Sequence, residues 1–297
     1  RATVKRAIAP AWLRVAQRST RRRLGCDLPF RADLVACGER FADDAAWRHL
    51  LSRLPCSAGL RVLVPGCYMG GEDVQFWLRR GVRQLDGIDV YALNVHWDRI
   101  VPALRRQWGV PVAFRQASIE DLPFDDGAFQ VVVSVAVLEH VRNLDAMVRE
   151  TARVMAPGGF AFHSFGPLYY AYGADHCIAA YGHQAGYDHL LLDDATYRRR
   201  IADRAHFARV TGNANLAFWA RHDQFSFATA RDYIDAFARA FEVTYVVAKL
   251  TTDGLSFRSR YPDRWRRLLD AGVNEADLLV KSLVVVLRKP ERQGSVN

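Results

Sequence analysis

The sequence is poor in lysine. Lys5, Lys249, Lys281 and Lys289 are the only four among 41 basic residues, and the rest are arginine. It also lacks any Cys-x-x-Cys pair. Its five cysteines (Cys26, Cys37, Cys56, Cys67 and Cys177) are odd in number. A zinc ribbon and a disulfide framework are therefore not expected, and a reducing compartment is. No run of about 18 uncharged apolar residues occurs, which excludes a membrane-spanning helix. Internal repeats and low-complexity segments are absent, which excludes solenoids and arrays. With 50% apolar and 25% charged residues, the composition excludes a disordered chain, a coiled coil and a collagen. The first residue is Arg1, so the sequence reads as a piece of a longer chain. Residues 1–23 are basic, but their short apolar stretches are broken by arginine and do not make a signal peptide. A cytoplasmic location is expected.

What the chain does have is 297 residues and a formal charge of +9. That length allows one large domain or two small ones, with a core that needs no disulfide or metal. The positive charge points to an anionic partner. The arginines are nonetheless scattered, at 21–23, 79–80, 105–106, 198–200 and 264–267, and form no single stripe. Solvated helix faces explain that distribution more simply.

The pattern along the chain predicts five stretches. Residues 1–58 form a helical N-terminal extension, with helices over Ala11–Arg23 and Ala42–Leu54. Residues 59–164 alternate strands and helices. The strands are Arg61–Pro65, Leu85–Val90, Val112–Arg115, Phe129–Val135 and Phe160–Phe162. The helices are Glu72–Arg80, Leu93–Trp108 and Leu144–Met155, the last stopped by Pro157-Gly158-Gly159. Residues 165–228 break the rhythm and read as an insertion that covers a site. Residues 229–290 resume it, with helices at Ala230–Ala240 and Arg264–Ala271 and strands at Val243–Leu250 and Leu279–Arg288. Residues 291–297 form a loose tail. The strands are apolar on both faces, so the expected fold is α/β, with a Rossmann-like, seven-stranded, mostly parallel, doubly wound sheet.

The run Val64-Pro65-Gly66-Cys67-Tyr68-Met69-Gly70-Gly71 takes a strand through glycines into a helix. Glycine lets the backbone approach a ligand closely, and a helix start favours an anion. Asp89 closes the next strand, where an acid can accept hydrogen bonds from ribose hydroxyls. The spacing is not the G-x-G-x-x-G of dinucleotide sites, so a nucleoside ligand and an ordinary turn both remain open from this stretch.

Three further segments follow. They are Ala117-Ser118-Ile119-Glu120-Asp121-Leu122-Pro123-Phe124-Asp125-Asp126-Gly127, Ser134-Val135-Ala136-Val137-Leu138-Glu139-His140, and Arg153-Val154-Met155-Ala156-Pro157-Gly158-Gly159. In order and spacing, residues 60–165 resemble the class I S-adenosylmethionine-dependent methyltransferases of type 11. The likeness is greatest to the small-molecule branch with quinone-biosynthesis, sugar and natural-product enzymes. That resemblance implies S-adenosylmethionine as cofactor. It implies that the backbone around Gly66, Cys67, Tyr68 and Gly70 holds the methionine end. Asp89 holds the ribose, with Val90 against the adenine. Ser118 and Ile119 lie at the adenine edge, and Ser134 and Val135 flank the amino-acid end. The sequence departs from the family at Val64, where an acid is common, at Tyr68, where a glycine is common, and at Ser118, where Asp is common. His140 either caps the next helix, or bonds a backbone carbonyl, or faces the transferred methyl group or the substrate.

The insertion carries Tyr169, Tyr170, Asp175, His176, Cys177, His183, Asp188 and His189. Aromatic walls with polar points suit a small-molecule pocket. Tyr169, Tyr170, His183 and His189 are the expected substrate contacts. His140, His176 and Asp175 are the expected catalytic residues, with His163 and His183 as further candidate bases. The spacing matches no metal pattern, so no metal is expected. The reading that results is methyl transfer to a small-molecule or saccharide acceptor, at a hydroxyl, with a histidine base. Two alternatives stand beside it. One is a nucleic-acid methyltransferase, disfavoured because Ser134-Val135-Ala136-Val137 stands where an Asn-Pro-Pro-Tyr base pocket would be. The other is a non-catalytic binding protein of the same fold.

Overall fold

The computed structural model describes residues 17–37, 39–176, 181–202 and 225–291. Eight strands form one sheet: β1 (Leu34–Cys37), β2 (Arg61–Pro65), β3 (Gln84–Asp89), β4 (Val112–Gln116), β5 (Phe129–Val135), β6 (Met155–Phe165), β7 (Glu242–Leu250) and β8 (Val280–Arg288). Their order is β1-β7-β8-β6-β5-β2-β3-β4. The pairs β1–β7, β2–β3, β2–β5, β3–β4 and β5–β6 are parallel. Strand β8 runs against β6, because Gly158 bonds Lys289 at one end while Leu168 bonds Lys281 at the other. The seven expected strands are all present. The eighth, β1, lies inside the stretch expected to be helical. Its four residues are too few to show a period, and only pairing with β7 defines them.

The helices are α1 (Glu39–Leu51), α2 (Glu72–Leu78), α3 (Asn94–Trp108), α4 (Leu144–Val154), α5 (Asp188–Leu191), α6 (Asp194–Ala202), α7 (Ala230–Ala238), α8 (Thr252–Arg260), α9 (Pro262–Asp270) and α10 (Glu275–Leu279). Residues 17–24 are also helical, and the part of the expected first helix before residue 17 lies outside the described residues. Helices α8 and α10 were not expected. Both are opened by side-chain caps: Thr251 Oγ1 accepts the Gly254 N–H, and Asn274 Oδ1 accepts the Ala276 N–H.

Pro157-Gly158-Gly159 does not stop α4 as expected, since these residues lie inside β6. Phe129 pairs with Met155 and Val131 with Phe160, so four residues of β6 face one of β5. That bulge accommodates the missing proline N–H and the positive φ of Gly158.

The described residues divide into two compact units. The first takes in the described parts of 1–43, 166–231 and 247–283. The second takes in those of 44–165, 232–246 and 284–297. Strands β7 and β8 each contribute to both. In the second unit, Val62, Leu63, Val64, Val131, Val132 and Val133 are fully buried. Trp47 stacks on Phe162 with ring centroids 3.9 Å apart. Val64, where the family often has an acid, sits opposite Gly87 with no exposure, so an apolar residue suits this place. In the first unit, Tyr187 and Phe257 are the ring core, and the Tyr187 hydroxyl donates to the Leu278 carbonyl at 2.6 Å.

Candidate functional site

The second unit gathers the expected cofactor residues at the carboxyl ends of β2, β3, β4 and β5. The N–H groups of Gly66 and Cys67 both donate to the Ile88 carbonyl, at 2.8 and 3.0 Å. This locks the turn after β2 onto β3. Gly66 has φ of 73°, and a Cβ there would meet Val137 Cγ2 at 2.2 Å, so only glycine fits. Tyr68, the next departure from the family, also has a positive φ, 41°. Two hydrogen bonds hold it there. Its N–H donates to Asp89 Oδ2 at 3.0 Å, and its carbonyl accepts the Trp97 indole N–H at 2.6 Å.

Asp89 is nearly buried, and its other oxygen, Oδ1, accepts the Tyr91 N–H at 3.1 Å. Each carboxylate oxygen thus takes one main-chain donor and keeps a lone pair for a second. Tyr68, Met69, Val90 and Val135 are exposed around it, at 54, 40, 59 and 43%. A fixed carboxylate beside bare apolar side chains fits a ribose with its attached base, so the donor set suits S-adenosylmethionine.

Other expected cofactor residues are turned inward. The Cys67 side chain is buried against Gly87, and burial pushes its thiol well above the usual range. It contributes main chain and no nucleophile. Ile119 is buried, and the Ser118 hydroxyl accepts the Glu120 N–H at 3.1 Å. Ser134 is a correction. Its side chain is fully buried with its hydroxyl 2.8 Å from His163 Nδ1, so only its main chain remains to flank a ligand. His163 is a second correction. It is fully buried, and burial pushes its pKa down to about 3. An imidazole so placed stays neutral but has no path to a substrate proton.

His140 is half-buried in the short turn Leu138–His140 that follows β5. It does not cap α4, because the Asn143 side chain does so by accepting the Ala146 N–H at 3.0 Å. Val137, two residues beyond Val135, packs on Gly66, so the His140 turn touches the cofactor loop.

The remaining expected residues belong to the first unit. The catalytic set is therefore divided: His140 lies in one unit, and Asp175 and His176 in the other. Asp175 is buried, accepts the Tyr197 hydroxyl at 3.0 Å and lies 4.0 Å from His189 Nδ1. It therefore lies beside His189. His189 is buried, with Nε2 2.8 Å from the Tyr169 carbonyl. This expected substrate contact thus has one ring nitrogen on the main chain of the same unit. Tyr169 and Tyr170 are half-buried with rings 5.2 Å apart, and burial raises the Tyr169 hydroxyl to about 12. The His183 ring lies among Tyr172, Phe257 and Tyr261. His176 is half-buried with φ of 57°. Asp188 is buried between the guanidinium groups of Arg200 and Arg264. Among the described residues, no three His, Cys, Asp or Glu side chains come together as metal ligands. Cys177 lies outside the described residues.

An open cavity of about 490 Å³ lies at the opposite, amino end of β2 and β5, lined by Arg53, Leu60, Gln130, Gly159 and Arg288 among others. It contains none of the expected site residues. Sequence reading also missed Trp97, Glu120, Val137 and Tyr233. Glu120 stood two residues from an expected contact, whereas Tyr233 carried no local signal.

Residues 63–163 match the methyltransferase domain family. The match makes this segment similar to a methyltransferase domain and takes in about a third of the chain. The chain is 33% identical over 108 residues to a ubiquinone biosynthesis O-methyltransferase from Chromobacterium violaceum, covering 36% of this chain and 44% of that protein. It is 35% identical over 133 residues to a tRNA U34 carboxymethyltransferase from Methylococcus capsulatus, covering 44% of this chain and 40% of that protein. The chain thus spans less than half the length of either curated relative. It also resembles the crystal structure of a proposed sarcosine dimethylglycine methyltransferase from Galdieria sulphuraria. The TM-score is 0.50 at 15% identity, over 84% of this chain and 86% of that one, a likeness of fold. Among the described residues, no helix is long and apolar enough to cross a membrane.

Proposed function

We propose that this chain transfers a methyl group from S-adenosylmethionine to a hydroxyl of a small molecule or glycan. The observation that carries this reading is the Asp89 carboxylate, fixed by two main-chain donors at the rim of the sheet with apolar side chains exposed beside it. The choice of a hydroxyl acceptor draws on the relative from C. violaceum, whose name is that of an O-methyltransferase. Residues 59–164 and 229–290 are taken as the cofactor-binding core, and 165–228 as the substrate-binding insertion.

The cofactor supplies an electrophilic methyl group on a sulfonium, whose departure leaves a neutral thioether. The protein's residues hold and orient. Asp89 would accept from the ribose hydroxyls, Val90 and the main chain at Ile119 would border the base, and the main chain from Gly66 to Gly70 and at Ser134 and Val135 would carry the amino-acid end. His140 would take the proton that the acceptor hydroxyl loses on methylation. Alignment of the reacting atoms near 3 Å supplies most of the rate, and the base adds about 10²–10⁴-fold.

A second reading, methylation of RNA, draws on the charge of +9 and on the relative named for tRNA. The test is transfer of labelled methyl groups to a panel of phenols, alcohols, saccharides and bulk tRNA, with wild type and His140→Gln. Transfer to a hydroxyl that falls at least 100-fold in the variant, with S-adenosylhomocysteine affinity intact, supports the main reading. Transfer only to tRNA, with a steep loss at high salt, replaces it.

A further inference from the structure

The turn that carries His140 is held from several sides, and each holding group comes from a different element. Ala136 has φ of 55° and donates its N–H to the Ser164 carbonyl of β6 at 2.8 Å. Val137 packs on Gly66. The N–H groups of Arg142 and Asn143 both donate to Glu120 Oε1, at 2.9 and 3.1 Å. The Leu138 carbonyl accepts the hydroxyl of Tyr233, from α7, at 2.7 Å. It also accepts the Val141 N–H at 3.1 Å, which closes the turn from within.

We infer that Tyr233 is a positioning residue, whose hydroxyl fixes the Leu138–His140 turn and with it the direction of the His140 imidazole. Of the groups that hold the turn, it is the buried side chain that reaches the turn's own first residue. Tyr233 has no exposure, and its ring packs 4.6 Å from Phe165 and 6.4 Å from Phe237. Such a phenol cannot swing away, so its hydroxyl is a fixed donor. A short turn has few hydrogen bonds of its own and drifts readily when an outside anchor is lost. A drift of about 1 Å is enough to cost a general base much of its effect. Replacing the hydroxyl with hydrogen leaves the ring packing intact and leaves the carbonyl with the Val141 N–H alone. This role rests on the reading of His140 as the base.

The experiment is NMR of the full chain carrying ¹³C,¹⁵N-labelled histidine, with His140→Gln used to identify the His140 signal. Wild type and Tyr233→Phe are compared, with Tyr197→Phe as a control that removes a buried hydroxyl elsewhere. S-adenosylhomocysteine is the binding probe. In Tyr233→Phe, the His140 signal shifts or splits while the affinity for the probe stays within twofold. In Tyr197→Phe, the melting temperature falls and the His140 signal stays put. An unchanged His140 signal in Tyr233→Phe overturns the inference, as does an equal shift in the control. Neither result depends on turnover. Failure of His140 as the base would appear separately, as full methyl transfer by His140→Gln.

Discussion

The hydroxyl of Ser134 and Nδ1 of His163 lie 2.8 Å apart, both without exposure, beneath the rim where the cofactor loop turns. Two residues that sequence reading assigns to cofactor and chemistry are thus partners in the core. Their pairing makes a pH prediction. Burial holds the folded His163 neutral down to about pH 3, while the unfolded chain takes up a proton near 6.5. Between those values the unfolded state binds more protons, so stability falls as pH falls, by at most about 1.4 kcal/mol per unit. Urea unfolding at pH 7 and pH 5 is expected to show wild type losing about 2 kcal/mol more than His163→Gln. Equal losses would show that His163 titrates normally in the folded chain.

Gly66→Ala places a methyl group in Val137 and imposes a strained φ. The expected cost is about 1–3 kcal/mol in urea unfolding, together with a large loss of S-adenosylhomocysteine affinity. Val137→Ala in the same chain opens the space and recovers part of both, so the two changes are non-additive. Full additivity would mean that the contact does not constrain the loop.

The buried ammonium of Lys249 pairs with Asp43 at 2.7 Å, and the carboxylate side is 30% exposed. The two ends therefore respond differently. Asp43→Ala strands a buried charge and is expected to cost about 3 kcal/mol. Lys249→Met removes that charge, keeps a carboxylate that is 30% exposed and is expected to stay within about 1 kcal/mol of wild type. Thermal and urea unfolding of the two variants decide the order.

Where the chain carries dense local signals, the fold was legible from them. The runs at 61–65 and 129–135 are apolar throughout, and both strands lie at the predicted residues. Strand β1 was not legible, because four residues give no period. Nor was the path of Pro157-Gly158-Gly159, whose turn chemistry serves a bulge. In the candidate site, Asp89 and Gly66 announced themselves through their place between strand and helix. The insertion misled for a different reason. Residue type alone marks Asp175 and His189 as polar points for a ligand, but both are buried, with Asp175 on the Tyr197 hydroxyl and His189 Nε2 on the Tyr169 carbonyl. Tyr233 lies 95 residues from the carbonyl it holds, and no local pattern reports such a bond.

The central claim is that the Asp89 rim binds S-adenosylmethionine. Calorimetry with S-adenosylhomocysteine tests it most directly, on wild type and Asp89→Ala, with thermal unfolding alongside. The account predicts binding by wild type, a stabilisation of about 2.7 kcal/mol at 100 times Kd, and loss of both in the variant. Absence of binding by wild type at millimolar ligand, or equal binding by Asp89→Ala, would contradict it.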